Sequence, residues 1–347
     1  MIQTVLPPPL TAEVCARALN SRDARFDGLF YVGITSTNIY CRPICPARVS
    51  YPDRRRFFAT AANAEGAGFR PCLRCRPELA PGRAPVDAVS QLARGAAERI
   101  GAGALNGRSV RALAGEFGVS ERHLRRALER EVGVSPLELA QTHRLLLAKR
   151  LLADTALPVT RIAYASGFQS LRRFNALFRE RYRMSPSAVR RKTGGSVDSG
   201  AVRLTLSYRE PFDWTALLED LSDSAIPGVE RVTSDRYARA VQLEKKRGTV
   251  VVTNSDGHLN ADISPSLLPV LMPLLARLRQ LFDLDAEPVA IDRHLAQGGL
   301  RGKVGLRVPG SMDGFEVVLR TLVRGTVLGK VVAAYGEAYD GEVEGLR

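Results

Sequence analysis

Four cysteines are spaced as ligands for one metal ion. Cys41 and Cys45 read Cys-x-x-x-Cys, Cys72 and Cys75 read Cys-x-x-Cys, and the stretch between the pairs is long enough to loop back. Four thiolates suit one tetrahedral ion, and zinc is the expected metal when every ligand is sulfur. Spacing alone leaves two readings open: a zinc ion that only stabilises a fold, or a zinc-bound thiolate that reacts.

The composition indicates an anionic partner. The 347 residues suffice for two or three domains, each with its own core. Lys and Arg number 50 against 36 Asp and Glu, a formal net charge of +14, and much of the positive charge is arginine between residues 42 and 192. Such a charge favours a polyanion, most simply nucleic acid, although a solvated basic surface without a partner would have the same composition.

The chain shows no targeting or membrane signal that we can identify. Its first ten residues are too proline-rich for a signal peptide, and no apolar run is long enough to span a bilayer. Five cysteines without a secretory signal favour reduced thiols. We therefore expect a cytoplasmic protein that uses its cysteines for metal rather than for disulfides.

Residues 84–192 are predicted to be helical and contain an internal repeat. Each copy has an apolar-periodic helix, a turn with a glycine (Gly118 or Gly167), a second helix rich in arginine, and a closing Ser-Pro. This is the pattern of a helix-turn-helix. A basic helical bundle with solvated arginines is the alternative.

The residues around the cysteines carry a family resemblance. The stretch TSTNIYCRPICPARVSYPDRRRFFATAANAEGAGFRPCLRCRPE resembles the N-terminal zinc domain of the Ada adaptive-response proteins. The resemblance implies that Cys41 accepts a methyl group from a methyl phosphotriester in the DNA backbone. It also implies that Thr37, Arg48 and Arg70 hold that backbone, whereas Pro46 stands where the family commonly has another arginine.

Elementary chemistry is consistent with that implication. A zinc-bound thiolate stays deprotonated at neutral pH and can displace a leaving group at a methyl carbon. No residue visible in the sequence could regenerate the thiolate, so we expect a single turnover. Methylation changes the formal charge of the site from about −2 to about −1. At 4 Å this removes repulsion of roughly 1–4 kcal/mol from a DNA phosphate, which predicts tighter DNA binding afterwards.

The helical repeat resembles the DNA-binding domain of the AraC family of transcription regulators, most closely in SGFQSLRRFNALFRERYRMSPSAVR. Two recognition helices on one chain can enter successive major grooves of double-stranded DNA. The candidate DNA contacts are Ser120, Arg122, His123, Arg125 and Arg126 in the first helix, and Gln169, Ser170, Arg172, Arg173 and Asn175 in the second. RNA polymerase is a further candidate partner.

From residue 201 the chain resembles the N-terminal domain of AlkA-type alkylpurine glycosylases, in YREPFDWTALLEDLSDSAIPGVE, ISPSLLPVLMPLLARLRQLFDLD and GLRVPGSMDGFE. The catalytic half of those enzymes needs a helix-hairpin-helix and an aspartate beyond it, and the sequence shows neither. Asp283, Asp285 and Asp292 are therefore poor catalytic candidates, and we expect no glycosylase activity.

Together these patterns predict a multidomain α+β protein. We expect a small zinc-stapled α/β domain at 1–82 and an all-α domain with two helix-turn-helix units at 84–192. A linker at 193–200 leads to an α+β domain of the AlkA N-terminal type at 201–290. Residues 291–347 are expected to be an incomplete remnant of the helix-hairpin-helix glycosylase domain. The predicted function is an alkylation-damage sensor that takes a methyl group onto Cys41 and then regulates repair genes. The alternatives are an AraC-type transcription factor with purely structural zinc and, less favoured, an alkylpurine-DNA glycosylase.

Overall fold

Two compact units, Met1–Val197 and Asp198–Arg347, make up the chain in the computed structural model. The structure describes residues 10–80, 91–193, 201–297, 303–323 and 326–337. The predicted linker lies outside the described residues, except for its first residue.

The first unit begins with a small four-stranded sheet and two helices. The elements are α1 (Ala12–Ser21), β1 (Tyr31–Ile34), β2 (Ile39–Cys41), β3 (Arg55–Phe58), α2 (Ala61–Gly66) and β4 (Arg70–Pro71). The strand order is β3-β1-β2-β4, with β1 antiparallel to both neighbours and β2 parallel to β4. Tyr40, Phe58 and Phe69 form one apolar cluster of this module. Such a core is small, so metal ligands are a physically reasonable addition to it.

Seven helices follow in the same unit. They are α3 (Gln91–Gly101), α4 (Val110–Glu116), α5 (Glu121–Glu131), α6 (Pro136–Asp154), α7 (Val159–Ala165), α8 (Leu171–Tyr182) and α9 (Pro186–Thr193). The pairs α4–α5 and α7–α8 are the two helix-turn-helix units, and α6 joins them. Gly118 and Gly167 lie in the two turns with φ of 66° and 85°, a conformation that costs glycine little.

The second helices of the two units bury equivalent positions. Residues 121–130 and 171–180 alternate between buried and exposed in the same order, position for position. Leu124 and Leu128 are fully buried in α5, and Phe174 and Phe178 are fully buried in α8. The repeat seen in the sequence is therefore a repeat of packing, with the arginines on the outer face.

The second unit is an antiparallel sheet with helices. Its first elements are β5 (Val202–Ser207), α10 (Trp214–Asp223), β6 (Glu230–Val232), β7 (Arg236–Leu243), β8 (Lys246–Ser255), β9 (His258–Ile263) and α11 (Leu271–Leu281). Three helices follow, α12 (Pro288–Gln297), α13 (Gly314–Leu322) and α14 (Thr326–Tyr335). The strand order is β5-β9-β8-β7-β6. The predicted fold class, with a zinc-binding domain, a helical helix-turn-helix region and a C-terminal α+β domain, is confirmed.

A buried charge network attaches α13 to this sheet. Arg239 on β7 donates to Glu230 at 3.2 Å and to Glu316 at 2.5 Å, and Arg320 donates to Glu230 at 2.7 Å. The Arg239 and Glu230 side chains are 3% and 1% exposed. Residues 314–320, which fall in the segment predicted to be a remnant, therefore pack against the sheet of the second unit.

Candidate metal centre and nucleic-acid interface

The parallel pairing of β2 with β4 brings the two cysteine pairs together. Tyr40 lies opposite Pro71 in the register, and the Cys72 N–H donates to the Tyr40 carbonyl at 2.9 Å. Cys41 and Cys72 are the next residues along each strand. Because parallel strands run in the same direction, Cys41 and Cys72, the first cysteine of each pair, lie at the same end of the sheet.

The four cysteine sulfurs form one compact cluster. Their Sγ atoms all lie within 4.8 Å of one another, and the residues are only 6–8% exposed. A tetrahedral zinc ion with Zn–S bonds of about 2.3 Å requires sulfurs about 3.8 Å apart, which this arrangement accommodates. The donor set, four thiols and no carboxylate or imidazole, suits zinc and does not suit the hard cations Mg²⁺ and Ca²⁺. The residues present therefore fit a zinc ion.

Without a metal ion, the four sulfurs share protons through hydrogen bonds. Hydrogen bonds with Cys45, Cys72 and Cys75 raise the pKa of Cys41 above its ordinary value, with burial adding to the effect. A divalent ion that takes the place of the shared protons would hold every sulfur as a thiolate.

Backbone hydrogen bonds distinguish the four sulfurs, whereas burial does not. Two sulfurs accept from backbone N–H groups, in the pairs Arg42 to Cys75 and Arg74 to Cys72, both at 3.4 Å. Among the described residues, no backbone N–H makes such a hydrogen bond with the sulfur of Cys41 or of Cys45. A donor stabilises the charge on a thiolate and so weakens it as a nucleophile. Cys41 and Cys45 are therefore the two sulfurs whose charge the backbone stabilises least.

An ion pair behind the cluster holds the residue that follows Cys41. The Arg42 guanidinium contacts both carboxylate oxygens of Asp27, one of them at 2.8 Å, and donates to the Cys75 carbonyl at 3.1 Å. Burial lowers the pKa of Arg42, but the Asp27 carboxylate outweighs burial and raises it, so the guanidinium stays charged. Asp27 was not predicted from the sequence, because nothing in its local pattern indicates a partner 15 residues away.

The predicted backbone-holding residues of the zinc module lie at its surface. Thr37 is exposed in the turn between β1 and β2, and Arg48 is exposed after the first cysteine pair. Arg70 is half-buried on β4, directly across from Ile39. Pro46, the departure from the family pattern, is exposed next to Cys45.

Four of the five candidate DNA contacts in each recognition helix fall on equivalent positions. Ser120 and Ser170 are the N-caps of α5 and α8, and their hydroxyls accept from the backbone N–H groups of His123 and Arg173. The exposed candidates, which could reach a duplex, are Ser120, Arg122, His123, Arg126, Gln169, Ser170, Arg172 and Arg173. Arg125 and Asn175 are half-buried, and Arg125 pairs with Glu121 at 3.3 Å. These DNA contacts remain predictions.

A buried carboxyl connects β2, the strand that ends at Cys41, to α6. Glu65, 3% exposed on α2, accepts from the Tyr40 hydroxyl at 3.0 Å and from the Thr142 hydroxyl at 3.2 Å. Its backbone carbonyl accepts from Arg181 at 3.0 Å. Burial raises the pKa of Glu65 to about 7, against the opposing effect of these donors. The sequence analysis did not single out Glu65 or Thr142.

The aspartates of the second unit occupy structural contacts. Asp283 accepts from the Val308 N–H at 3.4 Å, and burial raises the pKa of its carboxyl. Asp285 pairs with Arg279, and Asp292 is half-buried on α12. The prediction that none of the three is catalytic stays a prediction. Within the described ranges, no helix combines the length and apolar character needed to cross a bilayer.

Three known families match successive parts of the chain. The metal binding domain of Ada matches residues 14–78, a helix-turn-helix domain matches residues 113–192, and the AlkA N-terminal domain matches residues 203–313. These matches confirm the three resemblances drawn from the sequence. Together with the clustered sulfurs, the Ada match also confirms zinc as the predicted cofactor.

Individual relatives share these modules. The chain is 37% identical over 342 residues to the "Probable bifunctional transcriptional activator/DNA repair enzyme AlkA" of Mycobacterium tuberculosis (strain CDC 1551 / Oshkosh), covering 93% of this chain and 69% of that protein. It is 27% identical over 177 residues to the "Bifunctional transcriptional activator/DNA repair enzyme AdaA" of Bacillus subtilis (strain 168), covering 50% and 80%. The solved DNA methyl phosphotriester repair domain of E. coli Ada is 38% identical and matches with a TM-score of 0.19, over 22% of this chain and 80% of that one.

Proposed function

This chain belongs to the family of bifunctional transcriptional activator/DNA repair enzymes, and on that basis we propose that it is a single-turnover methyltransferase whose methylation activates transcription. The substrate is a methyl phosphotriester in double-stranded DNA, the acceptor is Cys41, and the two helix-turn-helix units bind a promoter. The motif around the cysteines, the Ada match and the clustered sulfurs support this proposal.

The motif around the first cysteine pair carries the choice of acceptor, because the family motif places the methyl group on the residue that matches Cys41. The backbone hydrogen bonds agree with this choice. N–H groups donate to Cys72 and Cys75, and among the described residues none makes such a bond with Cys41 or Cys45. A sulfur whose negative charge is less stabilised is the stronger nucleophile.

The transfer is a displacement at carbon. An electron pair on Cys41 Sγ forms a bond to the methyl carbon, the bond between that carbon and the phosphotriester oxygen breaks, and its electrons stay on oxygen as a phosphodiester anion. When bound, zinc supplies the chemistry that keeps Cys41 a thiolate at neutral pH. No proton is transferred in this step. The thioether product is stable, so each molecule reacts once.

The chain's other residues orient the reactants. The Asp27–Arg42 pair fixes the backbone next to the acceptor through the Cys75 carbonyl. Thr37 and Arg48 lie at the surface of the same module, where a phosphate backbone can reach them. Arginine and hydroxyl groups are common partners of phosphate oxygens. Their role is to hold the damaged strand rather than to take part in the displacement.

The test is mass spectrometry of the zinc-loaded protein after exposure to a duplex with one methyl phosphotriester. We expect one added methyl group, found on Cys41 after proteolysis, and none in Cys41→Ala. Cys15→Ala is the matched control, because Cys15 is a buried cysteine of α1 outside the cluster, and it should react as the wild type does. A zinc-loaded wild type without added methyl would refute the transfer and leave a transcription factor with structural zinc.

A further inference from the structure

A lysine of the helix-turn-helix domain reaches the metal-binding loop. Lys149 lies on α6, and its side chain is 1% exposed. Its ammonium group donates to the backbone carbonyl of Cys72 at 3.1 Å and pairs with the Glu78 carboxylate, which is 2% exposed. Cys72 is one of the four cysteines of the metal site, so the contact joins that site to a lysine 77 residues later in the chain.

A second cation ties the other end of the loop to the same helix. Arg76, the residue after Cys75, donates to Glu78 at 3.1 Å and pairs with Asp154 at the end of α6 at 2.7 Å. Arg76 has a φ of 53°, a left-handed conformation that is uncommon outside glycine. The loop from Cys72 to Glu78 is therefore held against α6 at both ends.

Stability alone is a poor explanation for this arrangement. Removing an ammonium and a carboxylate from water costs several kcal/mol each, and well-packed apolar residues often replace such a pair without loss. What an apolar pair cannot supply is a donor aimed at the Cys72 carbonyl. That hydrogen bond fixes the backbone from which the Cys72 sulfur projects, and groups that orient ligands in this way commonly control metal affinity.

We propose that Lys149 is a positioning residue of the metal site: from the helix that joins the two helix-turn-helix units, it holds the Cys72–Cys75 ligand loop in its binding geometry. The inference rests on the metal-binding part of the proposed function. It means that the DNA-binding domain completes the metal site of the neighbouring module.

The test uses the full chain loaded with zinc or with cobalt, and no DNA. In Lys149→Met we expect transfer of zinc to a chelator to be about 10-fold faster or more, and the thiolate-to-cobalt absorption bands to change. Lys149→Arg keeps a charged donor and should recover much of both properties. Arg130→Met is the control for loss of one positive charge, because Arg130 is 85% exposed on α5.

A double variant separates positioning from a merely structural role. Lys149→Met with Glu78→Gln leaves no unpaired carboxylate at the Lys149–Glu78 contact, and the new amide oxygen can still accept from Arg76; this double variant carries the test if the single variant does not fold. We expect the double variant to unfold at nearly the wild-type temperature while it still releases zinc quickly. Wild-type release and absorption in either folded variant would overturn the proposal. No methyl donor is present in this experiment, so its failure would say nothing about methyl transfer to Cys41. Likewise, a protein that fails to accept a methyl group would still show whether Lys149 positions the metal ligands.

Discussion

The buried carboxyl of Glu65 should make the stability of the first unit depend on pH. Its pKa is raised from the ordinary 4.5 to about 7, mainly by burial. A carboxyl whose pKa is higher in the folded state favours folding when protonated. The stabilisation is fully present below the unfolded pKa and is lost as pH rises through about 7.

The size of the effect follows from that shift. A difference of about 2.5 pKa units corresponds to about 3.4 kcal/mol in total, of which roughly 2.5 kcal/mol should be lost between about pH 5 and about pH 8. Glu65→Gln has no proton to lose in this range, and its amide can still bond the Tyr40 and Thr142 hydroxyls. We therefore expect the variant to gain stability relative to the wild type by roughly 2.5 kcal/mol over this interval.

Urea unfolding followed by far-UV circular dichroism at saturating zinc measures the difference. Any effect of pH on the metal is shared by both proteins and cancels in the comparison. Trp214 is the single tryptophan of the chain and lies in the second unit, so its fluorescence is an internal control that should not respond. Glu129→Gln, an exposed change on α5, is the matched variant. A difference between wild type and Glu65→Gln that stays flat, or that favours the wild type as pH rises, would refute the reasoning.

Three further outcomes are expected. Arg239→Met removes the buried cation that Glu230 and Glu316 share, and it should lower the free energy of unfolding of the second unit by about 3–5 kcal/mol, measured by tryptophan fluorescence. Arg203→Met, at an exposed ion pair, should lower it by less than about 1 kcal/mol. Equal losses in the two variants would contradict the importance of the buried network. Methylation of Cys41 should tighten DNA binding about fivefold or more at low salt, with a smaller gain as salt rises, and an unchanged affinity would rule out the electrostatic switch. Removing zinc with a chelator should lower the unfolding temperature of the first unit. The unfolding of the second unit, followed by Trp214 fluorescence, should not change. A shift of both transitions would contradict the expectation that the two units unfold independently.

The sequence was sufficient for features that are encoded locally. The cysteine spacing predicts the cluster, because a strand pair and two short turns are enough to bring such cysteines together. The 3.6-residue period of the apolar residues predicts the helices of the two helix-turn-helix units, α5 and α8 among them. Exposure of Arg122 and Arg172 follows from the same period, since the opposite helix face must be buried.

Local patterns could not indicate which charged residues are buried. Lys149 lies in the run LLLAKRLLAD, where it has the character of an ordinary solvated lysine. It is buried only because the zinc module covers that face of α6. Glu65 is similar, since its short alanine-rich helix gives no sign that Thr142 will lie beside it.

By itself, then, the sequence predicted the parts of the site: four cysteines at metal-binding spacing, a motif whose resemblance implies Cys41 as the acceptor, and two arginine-rich helices. Ligand type and helical period depend on neighbouring residues, so they can be read along the chain. Only the tertiary structure decided that Glu65 and Glu78 join the metal module to α6 through Thr142 and Lys149. Those contacts span 71 to 77 residues, and a buried charge is tolerated only where folding has brought its partner within hydrogen-bonding distance.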